Sequence, residues 1–475
     1  MRHPLAVTVI VVAAVAAGLV GCALVPDKVV PAATASMIDA LFTVHGKGGG
    51  SMVRVITRSN QCPDIVWAGD QRQRMSVRVG AALLPLRGDS GQRDSKPAHF
   101  DVLTCEAAWP TGVAIAKVEG RAVPAPPKEI RRIVLIADTG CRMKASEDAF
   151  QDCNNNTRWP FAEVARQAAA LKPDLVVHIG DIHYRESPCP AGNAGCAGSP
   201  WGYGADTWRA DLFEPAAPLL AVAPWLFVRG NHESCARAGQ GWFRFIDANP
   251  FTSARSCNSP AHDADADFSA PYTVALDGNA GAQLIVFDSS KSSGKAYATT
   301  DAAFGQYAAQ MRNVATLAGQ AQHSFFLSHH PLLAFAPVNS VGATQPGGSR
   351  GLQSAFASVY PARLFPDNVS VVMHGHMHVF EAMSFSTDHP ASMIFGNAGS
   401  AIEGHPPKAV APGTEAYPGA RIDDFASSPA YGFAVMDRVD ASGAASWRVT
   451  EYDVTGRAQI VCEVRGAKSR CAPAL

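Results

Sequence analysis

The chain has 475 residues, 47% hydrophobic and 17% charged, with a formal net charge of −1. That length accommodates a large catalytic domain plus a smaller one, in a composition ordinary for a globular protein. The near-neutral balance gives no electrostatic footprint for nucleic acid, and aromatic residues scattered without a period exclude a solenoid or propeller.

The first residues read as a processing segment. A basic start, MRHP, precedes the apolar run LAVTVIVVAAVAAGLVGC, which is short for a membrane span and has the form of a signal peptide. Its end, Leu19-Val20-Gly21-Cys22, resembles the lipobox of bacterial lipoproteins. The resemblance implies a signal over residues 1–21 and a lipid on Cys22; the alternative is a plain signal peptide with a cysteine by chance. Residues 22–49 then read as a flexible tether. Ala23 follows the cysteine, where Asp would favour inner-membrane retention. The expectation is therefore an exported, lipid-anchored protein at the outer membrane, facing the periplasm or cell surface, with the membrane as its one legible partner.

Cysteine usage agrees with export. Of eleven cysteines, ten remain after Cys22. Cys141 and Cys153, Cys189 and Cys196, Cys235 and Cys257, and Cys462 and Cys471 lie close in sequence, leaving Cys62 and Cys105. Sequential pairing gives five disulfides in an oxidising compartment. A zinc site is the rival reading, but no CxxC pair occurs.

Residues 50–123 alternate in short stretches such as SMVRVITRS, broken by Gly, Pro and Asp, and predict a small β-rich N-terminal domain. VPAPPKE (residues 123–129) marks a stiff Pro-rich linker, placed over 124–130. From 131 the rhythm changes. IRRIVLIAD predicts a buried strand, FAEVARQAAALKPD an amphipathic helix, and LVVHIGD, PWLFVRGNHE, AQLIVFDSS, HSFFLSHHP, VSVVMHGHMH and ASMIFGNAGS further strands. This alternation predicts an α/β catalytic domain over 131–440 whose strands deliver loops at their carboxyl ends. Residues 441–475 read as antiparallel strands closing it.

Five of these apolar runs end in oxygen or imidazole donors: Asp138; Asp181, His183 and Tyr184; Asn231, His232 and Glu233; His329 and His330; His376 and His378. Polar groups at buried strand ends cost free energy unless something binds them. A mixture of carboxylate, amide, imidazole and phenol suits a hard or borderline transition metal. The donors are too many for one ion and, with Asp181 shared, suffice for two.

In order, the blocks read DTG, GDIHY, GNHE, His329 and GHMH. They resemble the metallophosphoesterase (calcineurin-like phosphoesterase) superfamily and, more narrowly, the purple acid phosphatases, whose pattern is DxG, GDxxY, GNH[DE], His, GHxH. The resemblance covers about residues 131–440 and implies a two-sheet α/β/β/α sandwich. It implies Fe(III) held by Asp138, Asp181, Tyr184 and His378. A divalent ion (Fe, Zn or Mn) would share Asp181 and be held by Asn231, His329 and His376. His232 would be the acid near the leaving group. His329 is chosen over His330 because the family ligand stands two residues before Pro. His183 and His374 read as structural, Glu233 as an orienter of His232 or a solvated turn residue, and Arg142, Arg185 and Arg229 as phosphate binders or surface charges.

The implied activity is hydrolysis of a phosphorylated small molecule, a phosphate monoester, by in-line attack of water activated at the metal pair. A phosphodiesterase on the same site is the alternative, and a surface binding protein with a relic site is the rival of another class. One departure stands out. The family carries a substrate-contacting histidine downstream of the lone-His block, and PLLAFAPVNSVGATQPGG contains none; His330 or His405 are the substitutes at hand.

Overall fold

The computed structural model describes residues 36–87, 96–278, 281–338, 344–402, 404–439 and 446–475. The signal segment and Cys22 lie outside these. Eleven strands form one sheet and eight another. The first sheet opens with β1 (Ile38–His45), β2 (Ser51–Thr57), β3 (Ser76–Val79), β4 (Leu103–Ala108), β5 (Arg132–Ile136), β6 (Leu175–His178) and β7 (Trp225–Phe227). The chain then crosses to the second sheet, with β8 (Tyr272–Ala275), β9 (Ala282–Val286), β10 (His323–Leu327), β11 (Val369–His374), β12 (Phe380–Phe385), β13 (Ala391–Phe395), β14 (Glu415–Tyr417) and β15 (Ala420–Ser428). It returns through β16 (Gly432–Arg438), β17 (Ser446–Asp453), β18 (Ala458–Arg465) and β19 (Lys468–Pro473). The orders are β19-β18-β17-β16-β5-β6-β7-β1-β2-β4-β3 and β8-β9-β10-β11-β13-β12-β15-β14.

The near-continuous apolar strands follow from burial on both faces. In β5, Ile133 and Leu135 join Leu284, Phe325 and Val371 of the second sheet in one core between the sheets. Val134 and Ile136 point the other way, against Phe161, Val164 and Ala168 of helix α1 (Phe161–Ala170). On the far side, Ile285, Phe326 and Val372 meet Tyr307 and Met311 of α2 (Ala302–Ala318) and Leu352 and Phe356 of α3 (Arg350–Ala357). Alternate residues thus face alternate layers, which gives the α/β/β/α sandwich. Strands β5, β6 and β7 run parallel, as do β9, β10, β11 and β13.

The N-terminal region is β-rich, with a core of its own around Val53, Ile65, Trp67 and Cys105. Two expected boundaries need correction. Residues 38–45 are not tether: IDALFTVH is apolar, Phe42 and Val44 are buried, and β1 pairs antiparallel with β2 and parallel with β7 at Val44↔Trp225. The segment 50–123 is also not a body set apart by its linker, since β2, β4 and β3 extend the catalytic sheet. Buried Arg54 fastens the two regions, its Nη1 donating to the carbonyl of Phe245 at 2.6 Å. The linker is pinned as well. Thr43 Oγ1 donates to the Pro124 carbonyl at 2.6 Å, and Ile130 N donates to Leu276 O at 3.0 Å. At the other end of the chain, β17–β19 add to the sheet edge beyond β16.

All ten cysteines after Cys22 are paired sequentially: Cys62–Cys105, Cys141–Cys153, Cys189–Cys196, Cys235–Cys257 and Cys462–Cys471. The first spans 43 residues, so in a chain-entropy account it contributes most, about 4 kcal/mol.

Candidate metal centre

The carboxyl ends of the parallel strands converge, and their backbones are forced into uncommon shapes there. Asp138 follows β5, Asp181 follows β6 and His376 follows β11, with φ of 56°, 54° and 72°. Left-handed non-glycine residues cost free energy and cluster at functional sites. Two glycines are required by close approach. A Cβ on Gly180, itself at φ +86°, would lie 2.6 Å from His329 Nδ1, and one on Gly230 would lie 2.2 Å from Asp181 Oδ1.

The side chains meet in two groups that share Asp181. In the first, the Tyr184 hydroxyl lies 2.7 Å from Asp138 Oδ1, 3.2 Å from Asp181 Oδ2 and 2.9 Å from His378 Nε2. In the second, ligand atoms of Asp181, His329 and His376 all lie within 4.8 Å of one another. His329 Nδ1 donates to the Ile179 carbonyl at 2.8 Å, which leaves Nε2 facing Asp181. That nitrogen is 3.0 Å from Asp181 Oδ2 yet makes no hydrogen bond, and Asn231 Oδ1 is also buried without one. Buried polar atoms without partners are uncommon. Two of them aimed into a nest of carboxylates and imidazoles fit a site built for cations.

The electrostatics agree. Burial opposes ionisation of Asp181, but His329 and His232 beside it hold its carboxyl well below the usual range. For His329, burial lowers the pKa, and the Asp181 charge and the Asp138 charge raise it to about 9. Burial, reinforced by the charges of Asp138 and Asp181, keeps the Tyr184 phenol well above its ordinary value. A cation among these groups reverses that balance, because its charge stabilises phenolate.

Around this core the sequence expectations sort out. Glu233 neither orients His232 nor faces solvent: it is buried, and its carboxylate accepts the backbone N–H groups of Asp181, Ile182, His183 and Gly230 at 2.8–3.2 Å. Glu233 thereby fixes the Gly180-Asp181 turn. Burial and then the Asp181 charge raise its pKa to about 7. His183 is buried with Nε2 3.0 Å from Thr207 Oγ1, and His374 Nδ1 lies 3.1 Å from Ser328 Oγ. His330 turns away from Asp181, its Nδ1 3.2 Å from Ser289 Oγ, and lines a cleft of about 450 Å³ with Asn231 and His376. His405 is exposed and pairs by backbone with Val338; it is not among the residues lining that cleft.

His232 is held behind the site. Its Nδ1 is 2.8 Å from the His183 carbonyl, 3.1 Å from Glu186 Oε1 and 2.7 Å from Arg237 Nη2. Its Nε2 faces Asp181 Oδ2 at 3.7 Å. Its pKa lies below the ordinary value, because burial and then the Arg237 charge outweigh Asp181 and Glu186, which act against them. Glu186 and Arg237, themselves joined at 2.6 Å, were not singled out by the motif pattern. The only sequence signal was their closeness to it. The flanking arginines are committed elsewhere: Arg185 to Asp211 at 2.6 Å, Arg229 to Asp267 at 3.2 Å, and Arg142 to Glu147.

Residues 131–380 match the family model for calcineurin-like phosphoesterases. The chain belongs to this family. A calcineurin-like phosphoesterase is a hydrolase acting on phosphoric ester bonds, and membership implies a centre of two metal ions. Among solved structures the chain is similar in fold to PhoD, with a TM-score of 0.53, 10% identity, and coverage of 93% of this chain and 93% of that one. A purple acid phosphatase, PPD1, isolated from yellow lupin (Lupinus luteus) seeds, gives a TM-score of 0.49 at 13% identity, covering 91% of this chain and 74% of that one. A dimetal phosphatase from Danio rerio gives 0.35 at 12%, covering 73% and 99%. No curated protein sequence matches.

Proposed function

We propose that the protein is an exported, purple acid phosphatase-like enzyme that hydrolyses phosphate monoesters of small molecules. One observation carries this reading: the Tyr184 hydroxyl sits where Asp138, Asp181 and His378 converge. In this reading Asp138, Asp181, Tyr184 and His378 hold Fe(III), and Asp181, Asn231, His329 and His376 hold a divalent ion. Bound there, the two cations neutralise the charge of the ester and acidify a water molecule. The chain's own residues do the rest. Asp181 and Glu233 fix the geometry of the turn, Asn231 and His376 open onto the cleft that receives the ester, and His232 Nε2 gives its proton to the departing alkoxide. In-line transfer of the phosphoryl group needs positioning and charge stabilisation more than covalent help from the protein.

Tyr184→Phe tests the assignment. It keeps the ring and removes one oxygen, so the fold should be retained. The iron-loaded wild type should be pink to violet from phenolate-to-iron charge transfer, and the variant should lose that band and retain iron less well. A colourless iron-replete wild type, or a coloured Tyr184→Phe protein, removes the iron–tyrosinate assignment. Turnover of p-nitrophenyl phosphate against its bis-ester decides between monoester and diester. Turnover of neither by metal-loaded protein would leave a binding protein.

Export with a lipid on Cys22 rests on the basic-apolar start ending in Leu-Val-Gly-Cys and on the five disulfides. Among the described residues no helix is long and apolar enough to cross a membrane. Cys22→Ala should move the protein from the membrane to the soluble fraction. Wild-type protein found soluble in its host would end the lipoprotein reading.

A further inference from the structure

The cleft at the candidate metal centre has a second wall that the ligand pattern does not explain. Besides Asn231, His330 and His376 it is lined by Ser292, Ser349 and Arg350. Its volume, about 450 Å³, is that of a site enclosing a whole small molecule. A second cavity of about 380 Å³ shares Arg350 and Gly348 with it and continues toward Tyr417 and Pro418. The alcohol part of a substrate therefore has room to extend past Arg350.

Arg350 differs from the arginines that flank the ligand blocks. Arg142, Arg185, Arg229 and Arg237 are each bound to a carboxylate, and Lys291 pairs with Asp267 at 3.3 Å. Arg350 is exposed and makes no ion pair among the described residues. The acid nearest to it along the second cavity, Glu415, is paired with Arg421 at 3.4 Å. The backbone that carries Arg350 is rigid. Ser349 N donates to the Pro331 carbonyl at 2.7 Å and Gly347 N to Ala334 O at 2.9 Å. Gln353 Nε2 donates to Leu332 O at 2.7 Å, and a Cβ on Gly348 would lie 2.1 Å from that same oxygen. Arg350 is thus stitched to the segment that begins with His329 and His330. Ser349 caps the helix through Leu352 N at 3.3 Å, so Arg350 opens α3 at its electropositive end.

We infer that Arg350 is a specificity-determining residue that binds a second anionic group, phosphate or carboxylate, on the alcohol side of the substrate. The inference rests on the phosphohydrolase reading and narrows it to doubly anionic substrates. A guanidinium carried on a backbone anchored in this way matches the planar recognition of such groups; the Ser292 and Ser349 hydroxyls on the same wall are bonded to each other and hold the backbone.

Matched substrate pairs that differ by one anionic group test this: fructose 1,6-bisphosphate against fructose 6-phosphate, and 3-phosphoglycerate against glycerol 3-phosphate. The wild type should favour the more anionic member by about ten- to a hundredfold in kcat/KM, the usual worth of a charge-assisted contact. Arg350→Ala should abolish the preference and Arg350→Lys should restore part of it. Discrimination in the first pair alone identifies a phosphate, in the second alone a carboxylate, and in both a general anion site. Calorimetric titration with 4-phosphonobutyrate against butylphosphonate gives the carboxylate comparison without turnover, and 1,4-butanediphosphonate against butylphosphonate gives the phosphate comparison. An active wild type with ratios near one, or ratios unchanged in a folded Arg350→Ala protein, overturns the inference. A metal-loaded wild type inactive on all four substrates overturns the phosphate-monoester reading on which the inference rests.

Discussion

Asp181→Asn should remove bound metal and phosphoesterase activity together, with kcat falling about a thousandfold or more. The size follows from what this carboxylate joins. It lies 3.2 Å from the Tyr184 hydroxyl on one side and 3.0 Å from His329 Nε2 on the other, so it is the residue common to both groups of donors. Charge stabilisation by such a pair of ions is worth several kcal/mol, and each 1.36 kcal/mol is a factor of ten in rate. Asn preserves the shape and one acceptor oxygen, so the bond from His232 N to Asp181 Oδ1 at 2.8 Å can persist and the fold with it. Metal content by elemental analysis, circular dichroism and turnover are measured on the same preparation. Asp367→Asn, at an exposed side chain far from the site, serves as the control. A folded Asp181→Asn protein that keeps two ions and activity within tenfold of wild type would show that the metals sit elsewhere.

The donors were legible in the sequence for a local reason. Asp138, Asp181, Asn231, His329 and His376 each stand two to four residues past a buried strand, so an apolar run and its polar ending are read together. An α/β domain was legible because near-continuous apolar strands alternating with amphipathic helices require cover on both faces; its two-sheet sandwich form came only from the family resemblance. What the sequence hid depends on distant partners. The strand over 38–45 read as tether because its parallel neighbour, Trp225, lies far along the chain. Glu233 was ambiguous because its partners are backbone N–H groups of another block, and no side-chain pattern marks a backbone acceptor. Glu186 lies only five residues past Asp181, but its value depends on Arg237 and His232, which the fold brings to it. Arg350 sits in a stretch rich in Gly, Pro and Ser that reads as loop, and only the bonds to Pro331, Leu332 and Ala334 reveal that it stands beside the site.

His232→Ala should slow hydrolysis of alkyl phosphates by about 10²- to 10⁴-fold, while p-nitrophenyl phosphate loses much less. The contrast isolates proton donation, because an alkoxide must be protonated as it leaves whereas nitrophenolate departs with little help. The geometry is that of an imidazole held from behind: Nδ1 lies against the His183 carbonyl at 2.8 Å and Glu186 at 3.1 Å, so Nε2 is the nitrogen turned toward Asp181 and the reacting ester. The Tyr184 ring, 4.0 Å between centroids, fixes the plane. Glu186→Gln keeps the volume and removes the carboxylate that acts against Arg237 on His232, so it should reproduce the same leaving-group bias at smaller size, with iron colour retained. A merely structural role for either residue would depress both substrates equally and lower metal retention as well. Equal losses on the two substrates, in protein with its full metal content, would move His232 from proton donor to substrate contact.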